Sequence, residues 1–409
     1  MRVHRLEPGI QLPRAVPFCA GLQRLRLRDA NAPLPPAFDG RPDPGVNVLR
    51  QTETAGRIEA SPFEVTVRGG IAPPVTGMAS LLATMSGVVT SLSNAVLLAA
   101  AAAAAGGSSG QSPQETIRAV KDFQETLGLG RTRNFELPSV NDVAAARCYY
   151  APKLELPFSC DELRWENAGG GGCRIDESLY DVFYYPMEAV ASGSSPVTSS
   201  LAASPLERML VVVTHEDFHQ HHDDSKLPAV AAEAASTLAG FLTAAEFARR
   251  RYGDGAELTR RLSAEADLFL VKSLIVNAHR ERVQRLYESV AAGTVPRQPA
   301  PALKRRIFEE LGRECLAVDG TPSSFNKCPG ALNHAGLAFD YTYTRNYPLV
   351  HRLYAALGRD RRAALGALRE LLALRIQREA DFAAAAAERI AAAAATPASG
   401  TATPAGSRR

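Results

Sequence analysis

The sequence predicts an α+β domain that is predominantly helical, with a small sheet ahead of the helix that carries its main motif. Apolar residues recur at helical spacing through most of the chain after Ser204. Two aromatic-rich runs, 147–151 and 180–185, have the length and composition of strands, and the glycine run 169–172 lies between them. With 409 residues and 46% apolar content, the chain has enough material for one large domain or two smaller ones.

Composition also argues against a nucleic-acid partner and against a zinc site formed by the cysteines. The formal net charge is only +3, and no basic cluster is interleaved with aromatic residues, so we expect no nucleic-acid partner. The six cysteines fit none of the zinc-ribbon spacings. Cys160 with Cys173, and Cys315 with Cys328, each enclose a loop and could close as disulfides outside the cytosol, although reduced thiols fit the sequence equally.

The chain divides into four regions by composition. Residues 1–76 are rich in arginine and proline and predict a disordered basic arm or a targeting region. Residues 77–110 carry no charge, and their apolar core, 78–105, is long enough to span a bilayer, although a cleaved signal or an alanine-rich linker would look similar. A membrane-anchored or exported protein is therefore expected over a cytoplasmic one. A folded domain at 111–395 and a disordered tail at 396–409 complete the prediction.

Capping signals predict where the helices begin. Ser112 and Glu115 form a capping box that opens the first helix of the domain. Ser204 and Glu207, with Pro205 at the first helical position, predict a similar start for the helix that carries the main motif. Later helical segments are expected at about 229–249, 257–289, 302–311, 332–357 and 360–395.

The main motif is His-Glu-x-x-His at residues 215–219. On a helix His215 and His219 are four residues apart, so both imidazoles project from one face and can share a tetrahedral metal ion. Glu216 lies beside them, placed to hold a metal-bound water, and this is the pattern of zinc hydrolases. A surface helix with polar histidines is the alternative, but the apolar run 209–213 just before the motif favours a buried position.

A catalytic zinc takes three protein ligands and leaves one position open. Pro228 begins a second helix, and Glu233 is the first acidic residue on it. Because the connection after His219 is short, a helix hairpin should bring Glu233 back beside the histidines. Four rival ligands lie nearby and are expected to be solvated: His221, His222, Asp223 and Asp224.

The order of these features resembles a bacterial family of gluzincin-like zinc aminopeptidases. The resemblance rests on segments such as 127–129 (Leu-Gly-Leu), 215–220 (HExxHQ) and 233–237 (Glu-Ala-Ala-Ser-Thr), and it covers about two thirds of the chain. It implies a zincin-like metallopeptidase domain, a peptide substrate, and one zinc ion bound by His215, His219 and Glu233. It also implies that Glu216 is the catalytic acid/base.

This chain departs from the family pattern at several positions. Ala232 stands where Asn is usual, Asp217 where an apolar residue is usual, and His334 where a second Asn is usual, while the spacer to Glu233 is one residue longer. These changes spare the ligands and leave an inactive zinc-binding or membrane-tethered peptide-binding relative as the alternative. No Gly-x-Met-x-Asn strand occurs, so aminopeptidase specificity rests on the resemblance alone.

Peptide hydrolysis at a zinc ion also needs a donor for the tetrahedral oxyanion. Candidates in the aromatic region before residue 357 are Tyr341, Tyr343, Tyr347 and His334. Each is also a plausible packing residue, because buried aromatic side chains with a polar tip are common in cores.

Overall fold

The computed structural model describes residues 112–137, 146–168, 172–186, 188–189, 194–221, 227–318 and 332–395. These residues form ten α-helices and one three-stranded sheet that precedes most of the helices, as the sequence predicts. The arm 1–76, the apolar segment 77–110 with its possible span 78–105, and the tail 396–409 lie outside the described residues. Within the described ranges, no helix is both long and apolar enough to cross a membrane.

The first helix, α1, runs from Pro113 to Thr126. Its capping box is confirmed, because the Ser112 hydroxyl accepts from the Glu115 N–H and the Glu115 carboxylate accepts from the Ser112 N–H at 2.8 Å. The helix ends before Gly128, whose φ of +76° is the left-handed conformation that glycine adopts without strain. One apolar face of α1 is buried in the core, with Ile117, Val120 and Phe123.

The sheet is antiparallel and has the order β2-β1-β3, with β1 at Ala146–Pro152, β2 at Arg164–Asn167 and β3 at Tyr180–Pro186. β1 and β3 match the two aromatic-rich runs. β2 was not expected, because its side chains are largely exposed and show no alternation of apolar and polar residues.

The disulfide between Cys160 and Cys173, which the sequence allowed beside reduced thiols, does not form. Cys173 is bonded to Cys148 on β1, with their Cα atoms 5.6 Å apart. The reason is strand pairing: β2 lies beside β1 with Glu166 opposite Cys148, so the chain leaving β2 brings Cys173 back to the central strand. Cys160 and Cys315 are also in disulfide form. Cys328 lies outside the described residues, so the pairing predicted for it stays a prediction.

The motif helix, α3, spans Leu206–His219 and follows a short helix, α2, at Ser199–Ala202. The capping box predicted at Ser204 is wrong. The Ser204 hydroxyl donates to the Leu201 carbonyl, at the end of α2, and Glu207 accepts from Arg261. Because α2 ends immediately before α3, its terminal carbonyl captures the hydroxyl that would otherwise cap α3, and Pro205 is the residue at the N-cap.

The next helix, α4 at Ala229–Tyr252, is the centre of the domain. It is buried on all sides along most of its length, as expected of a helix that packs against several others. Six helices complete the domain: α5 at Glu257–Ala291, α6 at Ala300–Leu316, α7 at His334–Thr344, α8 at Tyr347–Ala356, α9 at Arg361–Ala373 and α10 at Glu379–Ala395. The expected segments 332–357 and 360–395 are thus two helices each.

Candidate metal centre

The antiparallel packing of α3 against α4 builds the site. At their closest approach, a Cβ placed on Gly240 would lie 3.1 Å from the Cβ of His215 and 3.3 Å from its main-chain N. The Thr214 hydroxyl donates to the Gly240 carbonyl at 2.9 Å. Because Gly240 has no side chain, the two backbones approach closely, and Glu233, seven residues earlier, falls on the same face of α4.

Three side chains converge at this crossing, and we call them the His-His-Glu triad: His215, His219 and Glu233. One ligating atom from each lies within 4.8 Å of the others. The two Nε2 atoms are 3.1 Å apart, and Glu233 Oε2 lies 3.2 Å from Nε2 of His215 and 3.3 Å from Nε2 of His219. The structure therefore brings together the three residues that the sequence predicted as ligands.

The spacing of these atoms fits a tetrahedral zinc. With zinc–nitrogen and zinc–oxygen bonds of about 2.0–2.2 Å, neighbouring ligand atoms of a tetrahedron are separated by about 3.3 Å. The triad has this spacing on all three edges. The Ser236 hydroxyl lies 3.3 Å from Nδ1 of His219, a contact that orients this imidazole with Nε2 towards the triad.

The rival ligands do not join the triad in the described part of the chain. His221 packs against the ring of Phe218, with 6.2 Å between ring centroids. His222, Asp223 and Asp224 lie outside the described residues.

The triad and its neighbour Glu216 are buried, with His215 and Glu216 fully inaccessible to solvent. Burial alone would raise the pKa of Glu233, but His219 and His215 lower it below its usual value through charge and hydrogen bonding. Two imidazoles together with one ionised carboxylate are a ligand set found at catalytic zinc sites. Glu216 Oε1 lies 3.9 Å from Nε2 of His215, next to the ligands.

Tyr343 of α7 is the oxyanion candidate that the structure brings to the triad. Its ring centroid lies 6.3 Å from that of His215. Burial, followed by the charge of Glu233, raises the pKa of Tyr343 well above its usual value. Its hydroxyl therefore stays protonated and remains a hydrogen-bond donor at any physiological pH.

The other candidates lie in different surroundings. Tyr341 packs edge-on against Phe158 and lies under the Arg280 guanidinium, 4.8 Å from the ring centroid. The hydroxyl of Tyr347 donates to the Ala266 carbonyl at 3.0 Å inside the core. The described contacts give both tyrosines a packing role.

His334 belongs to a second, partly buried group, which we call the Lys304 cluster: Lys304, Asp181, His334 and Tyr287. Lys304 Nζ donates to Asp181 at 2.6 Å and lies 3.5 Å from Nδ1 of His334, while the Tyr287 hydroxyl is 2.9 Å from its Nε2. Burial, followed by the charge of Lys304, lowers the pKa of His334 to about 3. The described contacts of His334 are with this cluster and give no support to an oxyanion role.

Sequence reasoning missed several charged and aromatic neighbours of the triad. Arg208 on α3 pairs with Glu188 at 2.5 Å, and the charge of Arg208 acts on Tyr185 and Tyr343. Burial, followed by the charge of Glu233, raises the pKa of Asp161 to about 7. Arg208 could have been found, because it precedes His215 by seven residues, or two helical turns, and so shares its face.

Three comparisons with known proteins find no match for this chain. A scan of protein-family profiles, a search of curated proteins and a search of solved structures each return nothing similar. The resemblance to zinc aminopeptidases therefore depends on the sequence motifs alone.

Proposed function

We propose that this protein is a zinc-dependent peptidase of zincin-like fold whose single zinc ion is bound by the His-His-Glu triad. The observation that carries the proposal is the convergence of three buried ligand atoms at tetrahedral spacing, with Glu216 beside them. A predominantly helical domain with a small sheet before the motif helix is consistent with this assignment.

A zinc ion held by His215, His219 and Glu233 would supply an activated water with a pKa of about 7 and Lewis-acid polarisation of the scissile carbonyl. Glu216 accepts the proton of the attacking water and delivers it to the leaving amine, as a general base and then a general acid. Glu216 is buried, and exclusion of bulk water strengthens the electrostatic interactions of its carboxylate.

The Tyr343 hydroxyl donates a hydrogen bond to the oxyanion that forms as the carbonyl becomes tetrahedral. The raised pKa of Tyr343 supports this assignment, because a neutral phenol donates where a phenolate would repel. Arg208 stays cationic: burial would lower its pKa, but Glu188 raises it above the usual value. Its charge favours negative charge developing near Tyr343.

The narrower assignment, an aminopeptidase, follows from the resemblance. The alternative is an inactive zinc-binding or peptide-binding protein of the same fold. Two departures from the family pattern do not oppose an active enzyme, because the described side-chain contacts of Asp217 and His334 are with Lys121 and Lys304 rather than with the triad.

The decisive experiment replaces Glu216 with Gln, which removes the base and no ligand. We expect one zinc per chain in both parent and variant, and a loss of peptide turnover of about a hundredfold or more in the variant. Turnover is measured on a mixed peptide library with free and with acetylated amino termini, which also distinguishes exopeptidase from endopeptidase activity.

Glu207→Gln is the matched control, because Glu207 lies on the same helix in a surface pair with Arg261. It should keep both zinc and turnover. A zinc-loaded Glu216→Gln variant that cleaves at the parent rate would contradict the mechanism, and a zinc-loaded parent that cleaves nothing would favour the inactive alternative.

A further inference from the structure

A buried ion pair ties the motif helix to the start of the domain. Lys121 of α1 and Asp217 of α3 lie 3.2 Å apart with side chains only 4% and 2% exposed. Lys121 Nζ also donates to the Thr132 hydroxyl and to the Asn134 carbonyl, both at 2.7 Å. The Thr132 hydroxyl in turn donates to Asp217. Every hydrogen of the ammonium group therefore has an acceptor.

Asn134 extends this network to the backbone of the proposed general base. Its Nδ2 donates to the Glu216 carbonyl at 3.2 Å, and its Oδ1 accepts from the Ser195 N–H at 3.0 Å. The Glu216 carbonyl is among the last four of α3, which lack regular helical partners. The Gln220 N–H bonds to the Asp217 carbonyl instead. Asn134 thus caps α3 at the residue proposed to perform catalysis.

The network acts from the side of α3 that faces away from the triad. Asp217 is two residues after His215, which is a rotation of about 200° around the helix axis. Its contacts thus fix the rotation and the axial position of the last helical turn without touching a ligand atom. That turn carries both Glu216 and His219.

We propose that Lys121, Asp217 and Asn134 are positioning residues. They hold the last turn of α3 in the position in which His219 can bind the zinc ion and Glu216 can reach the substrate. The proposal rests on the proposed function for its catalytic consequence. Its structural consequence, an ordered last turn, is measured separately.

The energetics of buried ion pairs suggest how to test this. Removing one partner leaves an uncompensated buried charge, so Lys121→Met or Asp217→Leu alone is expected to fold poorly. Replacing both by apolar residues of similar volume often preserves stability. The double variant Lys121→Met/Asp217→Leu therefore removes the positioning contacts and keeps a folded chain, and Asn134→Ala removes the cap alone.

The matched control is a second buried ion pair that does not involve α3. Lys272 of α5 and Asp340 of α7 lie 3.0 Å apart with side chains 5% and 7% exposed. The double variant Lys272→Met/Asp340→Leu makes the same chemical change at the same burial.

Two readouts are taken on the full chain: zinc affinity by competition with a chromophoric chelator, and hydrogen exchange of the metal-free protein at the end of α3. For Lys121→Met/Asp217→Leu and for Asn134→Ala we expect zinc binding about tenfold weaker or more, within the range for altered supporting contacts. Exchange at 217–221 should be several-fold faster. The control should keep its zinc affinity within twofold and its exchange at 217–221 unchanged.

The outcomes separate this proposal from the proposed function. If the parent binds no zinc, the proposed function fails, and exchange at the end of α3 alone decides the positioning role. If the Lys121/Asp217 variant does not fold, Asn134→Ala decides it. Parent-like affinity and exchange in the variants, or equal losses in the Lys272/Asp340 control, would overturn the proposal.

Discussion

The His-His-Glu triad and the Lys304 cluster are both buried groups of histidine and carboxylate, but their charges are balanced differently. In the triad, three atoms that carry lone pairs lie 3.1–3.3 Å from one another. In the Lys304 cluster, the ammonium group lies among the acceptors and bonds to Asp181 at 2.6 Å. A lysine thus supplies the positive charge in the second group.

This difference supports the proposal that the triad, rather than the Lys304 cluster, binds a metal ion. Buried lone pairs that converge on one another are stabilised by a proton or a metal cation between them, because their mutual repulsion and desolvation would otherwise oppose burial. A histidine whose neighbours already include a partly buried ammonium is satisfied as a neutral acceptor. Residue type alone does not separate the two groups. They differ because a lysine ammonium group contacts the histidine and the carboxylate in the Lys304 cluster, whereas the triad itself contains no lysine or arginine.

The largest expected effect concerns zinc binding itself. Glu233→Ala should abolish tight zinc binding, because two imidazoles remain where three ligands are needed. His334→Ala, the corresponding change in the Lys304 cluster, should leave one zinc per chain. Metal analysis after dialysis measures both, and undiminished affinity in Glu233→Ala would exclude Glu233 as a ligand.

The next effect compares a tyrosine from each group. Tyr343→Phe removes the proposed oxyanion donor and should lower turnover about a hundredfold with zinc affinity unchanged. Tyr287→Phe removes a hydroxyl from the Lys304 cluster and should leave turnover within a few-fold. Equal turnover in the two variants would remove Tyr343 from the mechanism.

A smaller effect concerns the helix crossing that assembles the triad. Gly240→Ala places a methyl group 3.1–3.3 Å from Cβ and main-chain atoms of His215, so it should destabilise the fold by about 1–3 kcal/mol. Zinc affinity should fall with it. Gly366→Ala is the control, since Gly366 lies on α9 with open space around it. That change should stabilise by up to about 1 kcal/mol through helix propensity. Urea unfolding measures both, and a Gly240→Ala variant as stable as the parent would show that the crossing has room to relax.

An effect of similar size is a pH dependence that originates in the Lys304 cluster. The folded pKa of His334 is about 3, below its ordinary 6.5, so below about pH 6.5 the unfolded chain binds a proton that the folded chain does not. Stability should therefore fall as the pH drops from 7 to 5, by on the order of 2 kcal/mol from this group.

His334→Asn removes the titrating group and should make the stability of the chain less dependent on pH over this range. Urea unfolding of the metal-free parent and variant at pH 7 and pH 5 measures the loss of unfolding free energy in each protein. The contributions of the other histidines cancel when the two losses are subtracted. The same loss in both proteins would show that His334 titrates normally.

Local patterns in the sequence predicted the elements and most of the triad. The capping box at Ser112, the strands at 147–151 and 180–185, and the one-face histidine pair of the motif all depend on neighbours close along the chain. Even Glu233 was predictable, because a short connection between two helices forces an antiparallel hairpin. These inferences needed no knowledge of long-range contacts.

Other predictions failed or stopped short because they depended on such contacts. Ser204 was given a capping role that the end of α2 takes away, and Cys173 was paired with Cys160 although strand pairing brings it to Cys148. Tyr341 and Tyr343 were equal candidates in sequence, and only the tertiary packing of α7, which contacts α4 and α5, places Tyr343 beside His215.

The sequence by itself determined the ligand types and their spacing along two helices, since helical periodicity is a local property of the chain. The tertiary structure decided which buried charges meet. Lys121 and Asp217 are 96 residues apart in the chain, and Lys304 and Asp181 are 123 apart. No local pattern encodes such pairs, because they form only when separate elements pack together and each buried charge must find a partner.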